Sequence, residues 1–256
     1  MTIEPSRRRL LQTLAAGAPL AAVLADPRLA HAAAAGLETV SLRTAGGRMV
    51  TGAIAWPATL PAPAIVLIHE WWGLNDQIKA VAADLAREGY VALAADLYDG
   101  EATSNPDTAA QLMQAVTPEA ATDTLVSWIT WLRSHPQVTG RIANLGWCFG
   151  GGWSLLASIA TPVEATIIYY GRVNQPAERL AMLQGPVLGH FATRDTRINA
   201  EMVNGFEAAM AAAGKALTVY WYDADHAFAN PSGARYDAAD AALAWERTLA
   251  FCRRTL

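Results

Sequence analysis

Beyond about residue 37 the chain alternates between short, wholly apolar runs and longer stretches with helical spacing. Residues 38–42 and 49–56 alternate apolar with polar positions on either side of Ala45-Gly46-Gly47, which predicts an antiparallel hairpin. Residues 57–63, bounded by prolines, read as a loop. Ala64-Ile65-Val66-Leu67-Ile68 has no polar position, as expected of a central strand covered on both faces. Residues 75–88 place Ile78, Val81, Ala82 and Leu85 on one helical face, and Gly89 ends that helix. A strand over 90–95 follows, then a polar, irregular stretch over 103–117 with one short helix. Pro118 opens a long helix to Ser134 with Leu125, Trp128, Ile129 and Leu132 as its apolar stripe. The rest repeats the unit: strands over 141–145, 165–170, 186–192 and 217–222, and helical runs over 153–160, 199–213 and 236–253. A hairpin followed by repeated strand-helix units predicts an α/β fold, a mostly parallel sheet with helices on both faces. No repeat or linker divides residues 37–256, which read as one domain.

Composition narrows the function. The chain has 256 residues, 53% of them apolar, enough for one large domain with a buried core. A net charge of −4 points to neither nucleic acid nor an anionic membrane as partner. Two cysteines make no disulfide framework. His69-Glu70 begins like the zinc motif H-E-x-x-H, but residue 73 is glycine, so no metal and no other cofactor is expected.

The first 32 residues have a different character. Ser6-Arg7-Arg8-Arg9-Leu10-Leu11 opens a weakly apolar stretch to about Leu24, and Ala30-His31-Ala32 has the small-x-small form of a cleavage site. The arginine pair followed by leucine resembles a twin-arginine export signal, against the plainer reading of a basic tail or a wrongly chosen start codon. Gly17 and Pro19 interrupt an apolar run that is too short to span a bilayer, so no stable membrane anchor is expected. Removing residues 1–32 takes away Arg7, Arg8, Arg9 and Arg28 with Glu4 and Asp26, which moves the net charge from −4 to −6. The expectation is an exported, periplasmic protein.

Gly146-Trp147-Cys148-Phe149-Gly150-Gly151 carries the chemistry. It lies between an apolar run and a helix and has the spacing of a nucleophile elbow, with cysteine where serine is more usual. In such sheets the reacting groups gather beyond the carboxyl ends of the strands. Reading past each strand gives Cys148, then Asp195, then His226, the order of nucleophile, acid and base in α/β-hydrolases. His226 would take the thiol proton and return it to the leaving group, and Asp195 would hold the imidazole. The N–H groups of Phe149 and Trp71 are the candidate oxyanion donors. Each residue also has a plainer reading: Asp195 as a turn or cap residue, His226 as a loop histidine. Asp223 and Asp225 compete for the acid role but lie too close in sequence to His226. Cys252, with Ala242, Trp245 and Leu249 at helical spacing, reads as a buried thiol.

With these residues in place the chain resembles the dienelactone hydrolase family, cysteine-dependent members of the α/β-hydrolase fold. The matching pieces are Ile68 to Asn75, Asp96-Leu97-Tyr98, Gly146 to Gly151, Tyr169-Tyr170-Gly171, Asp195 and His226-Ala227-Phe228, spread over roughly residues 38–253. The resemblance implies that Glu70 sits beside the nucleophilic thiol, which ionises when substrate binds. A carboxylate there disfavours the thiolate and shields it from oxidation between turnovers. The chain also departs from the family. Gly100 and Asn230 stand where the muconate-pathway enzymes carry two arginines that hold the substrate carboxylate. Arg172 and Arg194 are candidate substitutes, and Trp71, Trp72, Tyr98 and Tyr170 suggest a pocket with aromatic walls. The reading is a monomeric, exported hydrolase that cleaves a small ester or lactone through a cysteinyl thioester. Its alternatives are a thioesterase or acyltransferase on the same three residues, or a catalytically silent binding protein of the same fold.

Overall fold

The structure is a computed structural model and describes residues 17–256. The arginine pair Arg7-Arg8 lies outside the described residues. Eight strands form one sheet in the order β1-β2-β4-β3-β5-β6-β7-β8. They are β1 (Glu38–Arg43), β2 (Met49–Ala55), β3 (Ala62–Ile68), β4 (Val91–Ala95), β5 (Val138–Trp147), β6 (Ala165–Tyr169), β7 (Val187–Ala192) and β8 (Leu217–Tyr222). Only β2 runs against its neighbours β1 and β4; every other pairing is parallel. The helices are α1 (Leu20–Ala25), α2 (Pro27–Ala34), α3 (Asp76–Arg87), α4 (Pro106–Ala115), α5 (Pro118–Ser134), α6 (Phe149–Ala160), α7 (Ala177–Leu180), α8 (Ala200–Ala212) and α9 (Ala238–Thr255).

The apolar runs have no polar alternation because both faces of the sheet are covered. On β3, Ile65 and Leu67 pack with Ile78, Val81 and Leu85 of α3 and Phe251 of α9, while Val66 and Ile68 pack with Leu125, Trp128, Ile129 and Leu132 of α5. Polar caps set where the helices start: Asn75 accepts the N–H of Ile78, Thr117 that of Ala120, Asn199 that of Met202 and Asp237 that of Ala239. A buried polar chain pins α9 to the sheet. Thr248 Oγ1 lies 2.7 Å from the Tyr169 hydroxyl and 3.0 Å from His190 Nε2, and His190 Nδ1 lies 2.8 Å from the Tyr222 hydroxyl. Burial holds the His190 pKa down to about 3, so this imidazole stays neutral.

Three segments bear on the expected pattern. The strand expected to begin at residue 64 starts at Ala62, whose N–H reaches Gln137 O at 3.1 Å, so the prolines of the preceding loop do not stop it. The irregular stretch holds the one helix expected of it, α4, ten residues long and capped by Asn105. The apolar tail of the expected signal forms α1 and α2, which lie along α3. Val23 and Ala30 pack on Ala80, and His31 Nδ1 is 2.8 Å from Asp76 Oδ2.

The turn from β5 into α6 places the candidate nucleophile. Cys148 sits at φ 53°, ψ −113°, between the last residue of the strand and the first of the helix. A side chain in that left-handed region costs about 1–3 kcal/mol, which the surrounding packing must over-determine. Two close approaches do so. A Cβ on Gly146 would meet Gly150 O at 2.0 Å, and one on Gly150 would meet Ile68 O at 2.1 Å. Only glycine fits at either position, so strand β3, the elbow and the start of α6 are locked together.

Candidate active site

Three loops beyond the carboxyl ends of β5, β7 and β8 bring Cys148, Asp195 and His226 together. His226 Nε2 lies 3.2 Å from Cys148 Sγ, and His226 Nδ1 lies 2.6 Å from Asp195 Oδ2. Asp195 is fixed from its other side, where Oδ1 accepts the N–H groups of Arg197 (2.8 Å) and Ile198 (3.0 Å). The turn reading and the acid reading of Asp195 therefore describe one geometry: one oxygen caps the turn and the other holds the histidine. The rival acids are occupied elsewhere. Asp223 is exposed and Asp225 half-buried, and they pair with Arg194 at 2.5 and 3.5 Å, which also removes Arg194 as a free anion clamp.

Glu70, directly after β3 and His69, is buried. Its carboxyl accepts the Tyr170 hydroxyl at 3.1 Å and the side-chain amide of Asn230. Asn230 is oriented by Ser232, whose N–H and hydroxyl both reach Asn230 Oδ1, at 3.0 and 2.9 Å; that leaves Nδ2 for Glu70. Asn230 is thus a neutral donor to the glutamate. Burial raises the Glu70 pKa, against the lowering effect of these two hydrogen bonds. Burial and the Glu70 charge together push the Cys148 thiol up to about 12, against the Phe149 N–H and Arg197, which favour the thiolate. At neutral pH Cys148 is therefore a thiol. Its S–H points to His226 Nε2 when His226 Nδ1–H donates to Asp195. For Asp195, burial acts upward, but the His226 hydrogen bond and the Ile198 and Arg197 N–H groups outweigh it and hold the carboxyl below its usual range.

The aromatic residues divide. Tyr98 is buried edge-on to His69 (centroids 4.7 Å apart) and 5.7 Å from the ring of Phe149. Its hydroxyl has no hydrogen-bond partner, and burial and then the Cys148 charge raise its pKa. Trp71 and Trp72 are half-buried with ring centroids 4.7 Å apart, in the loop that offers the Trp71 N–H. Tyr170 stands edge-on to His226 at 5.2 Å and bonds Glu70. Arg172 is exposed after β6. Gly100 donates its N–H to Asp96 Oδ2 at 2.6 Å.

From the sequence His69 stands in a failed zinc motif and in the family-like piece Ile68 to Asn75, with no role of its own. In the fold both its nitrogens bond backbone: Nδ1 lies 2.6 Å from Glu70 O and Nε2 accepts the Leu97 N–H at 3.2 Å. It ties the loop carrying Glu70 and Trp71 to the loop carrying Tyr98. Its signal in sequence was its place at the end of a central strand. Among the described residues no group of three or more His, Cys, Asp or Glu side chains is placed to hold a metal ion, and no helix is long and apolar enough to cross a membrane. Cys252 is buried and unpaired on α9.

Comparison with known proteins shows the family. The sequence profile of the dienelactone hydrolase family matches residues 50–256. A carboxymethylenebutenolidase of Pseudomonas putida is 30% identical over 229 residues, covering 84% of this chain and 95% of that protein. Carboxymethylenebutenolidase 1 of Cupriavidus pinatubonensis is 28% identical over 225 residues, covering 84% and 94%. Among solved structures, a dienelactone hydrolase-like promiscuous phosphotriesterase from metagenomic libraries superposes with a TM-score of 0.77 over 86% of this chain and 98% of its own, at 22% identity, a likeness of fold. By sequence and by architecture the chain belongs to the dienelactone hydrolase family and is an ester or lactone hydrolase of the α/β-hydrolase fold.

Proposed function

We propose that Cys148, His226 and Asp195 act as nucleophile, general base and orienting acid in the hydrolysis of a small neutral ester or lactone. The observation that carries this is the continuous link of 3.2 and 2.6 Å from Cys148 Sγ through His226 to Asp195. His226 Nε2 takes the thiol proton as Sγ attacks the carbonyl carbon. The oxyanion forms opposite the N–H groups of Phe149 and Trp71, each such donor contributing about 3 kcal/mol to the transition state. His226 then gives its proton to the leaving oxygen as the C–O bond breaks, which leaves a thioester on Cys148. Water loses a proton to His226 and attacks the thioester. The C–S bond breaks, the acid departs, and the thiolate recovers the proton. Trp72, Tyr98, Tyr170 and Arg172 are the residues we assign to the substrate's surroundings.

The reading is tested on matched substrates. With Gly100 and Asn230 in the two arginine positions, a neutral lactone is expected to give a kcat/KM at least equal to that of its carboxylated analogue. A strong preference for the acid, lost in Arg172→Ala, would show that the clamp has moved rather than disappeared.

Glu70 restrains the resting thiol in this scheme. Glu70→Gln removes the charge and keeps the shape, so alkylation of Cys148 by iodoacetamide should speed up, about tenfold for each unit by which the thiol pKa falls. The pH dependence has a definite sign. Because burial raises the Glu70 pKa, the native carboxyl is increasingly neutral as pH falls, and the difference between variant and native protein should shrink toward low pH. Equal rates at pH 8.5 would place the Glu70 charge away from the thiol.

The export reading carries its own test. We assign residues 1–32 to a twin-arginine signal, on Arg7-Arg8 and Ala30-His31-Ala32. Ala30 and Ala32 are buried within α2, so processing requires that α2 first leave α3. Replacing Arg7 and Arg8 with lysine keeps the charge and should abolish the periplasmic form that begins near Ala33. Undiminished periplasmic protein would reject the twin-arginine route.

A further inference from the structure

The Trp71 N–H shares one peptide unit with the Glu70 carbonyl, and that carbonyl is held from two sides. Glu70 O lies 2.6 Å from His69 Nδ1 and accepts the Gly73 N–H at 3.2 Å. The one cis bond among the described residues is Leu60-Pro61, so the Glu70–Trp71 peptide is trans. In a trans peptide the C=O and the N–H point to opposite sides of the chain. Fixing Glu70 O on the imidazole therefore fixes the Trp71 N–H on the side away from it. That N–H donates to no group among the described residues.

The tautomer of His69 follows from its partners. The Leu97 N–H donates to Nε2 at 3.2 Å, so Nε2 is the acceptor. The ring proton is then on Nδ1, where it donates to Glu70 O. The other tautomer would set a donor against the Leu97 N–H and a lone pair against the carbonyl. The ring is fully buried, with Tyr98 edge-on at 4.7 Å and the Phe149 ring stacked at 6.0 Å. Burial lowers the His69 pKa, against Glu70 O and the Asp96 charge, which raise it, so the imidazole is neutral at pH 7.

We propose that His69 is a positioning residue for the reaction: by holding Glu70 O through Nδ1–H, it aims the Trp71 N–H at the carbonyl oxygen of the substrate. The proposal rests on the hydrolase reading above, in which the N–H groups of Trp71 and Phe149 receive the oxyanion. The two donors differ in their support. Phe149 N–H is set by the first turn of α6, whereas residues 69–72 belong to no helix or strand. A misplacement of about 1 Å in such a group costs roughly 10²-fold in rate.

Two amides separate the two bonds of the imidazole. Asparagine puts an NH₂ where Nδ1 stands, so His69→Asn keeps the donor to Glu70 O and gives up Leu97. Glutamine puts an oxygen where Nε2 stands, so His69→Gln keeps the acceptor for Leu97 and gives up Glu70. His69→Gln is expected to lower kcat/KM for p-nitrophenyl acetate by about 10²-fold. His69→Asn should recover most of that loss, its unpaired Leu97 N–H showing as a lower Tm rather than as slow turnover. Alkylation of Cys148 by iodoacetamide forms no oxyanion, so its rate should be the same in native protein and both variants. Equal losses of turnover in the two variants would leave His69 as a tie between loops, and an alkylation rate that falls with turnover would place its effect on the thiol; either result overturns the proposal. Should neither variant fold, the native protein decides through long-range proton–nitrogen-15 correlation of the His69 ring, assigned by its contact with the Tyr98 ring. A neutral Nδ1–H ring from pH 6 to pH 8 is expected, and an Nε2–H or charged ring overturns the proposal. If the native protein hydrolyses no ester, the hydrolase reading has failed and the proposal falls with it; native turnover with equal variants rejects the proposal alone.

Discussion

Cys148→Ala is expected to abolish hydrolysis of short esters and lactones, with a loss of about 10⁴-fold or more in kcat, while the protein keeps its fold. Alanine retains the Cβ, so the strained backbone at φ 53° is no worse in the variant, and Gly146 and Gly150 still permit the turn. One half-buried sulfur is removed, which costs little beside the packing of β3, β5 and α6. No neighbouring hydroxyl can take over. The Ser154 hydroxyl is buried in α6 and donates to Ile167 O at 3.0 Å. Circular dichroism and turnover of p-nitrophenyl acetate, measured on the same preparations, decide the matter. A well-folded Cys148→Ala enzyme with native turnover would remove the thioester from the mechanism and leave the Cys148–His226 contact as packing.

Much of this site was legible before the fold was known, and the reasons are physical. Parallel strands covered on both faces are largely apolar, so β3 and β4 stand out as unbroken runs and β5 to β7 as runs broken only by single buried polar residues such as Asn144, Thr166 and His190. A strained turn crowded by backbone demands glycine, so the elbow stands out as Gly146, Cys148 and Gly150. The order of the strand ends then delivers Asp195 and His226. What the sequence hid depends on contacts made across long stretches of chain. Asn230 bonds Glu70 across 160 positions, and nothing near residue 230 announces it. The Arg194 side chain reads equally well as a clamp or a surface pair until Asp223 and Asp225 are seen around it. His69 acts through backbone atoms at both nitrogens, and backbone partners leave no mark in residue identity. Residues 17–34 hid their structure for another reason: the leucines and alanines that would suit an export signal are also those that pack short helices against Ala80.

Asp195→Asn is expected to lower kcat/KM for neutral esters by about 10³- to 10⁴-fold at pH 7, through the proton on His226 rather than through the fold. Asp195 Oδ1 accepts two backbone N–H groups, at 2.8 and 3.0 Å, and that demand fixes which way an asparagine would sit. Its oxygen must stay on Arg197 and Ile198, because the opposite orientation sets an NH₂ group against two buried donors. The NH₂ group then faces His226 Nδ1, which must become the acceptor. The imidazole proton moves to Nε2 and points at Cys148 Sγ, where a base is required. The variant can therefore react only through the small population of thiolate. With the thiol pushed up to about 12, that population grows about tenfold per pH unit across the accessible range. The pH profile should accordingly climb steadily from pH 6 to pH 9 in Asp195→Asn, with a slope near one on a logarithmic scale, while the native enzyme levels off. A loss under about tenfold with an unchanged profile would move the acid role away from Asp195. Asp223 and Asp225 would then have to leave Arg194 to reach the histidine, and Arg194→Ala should raise activity by freeing them.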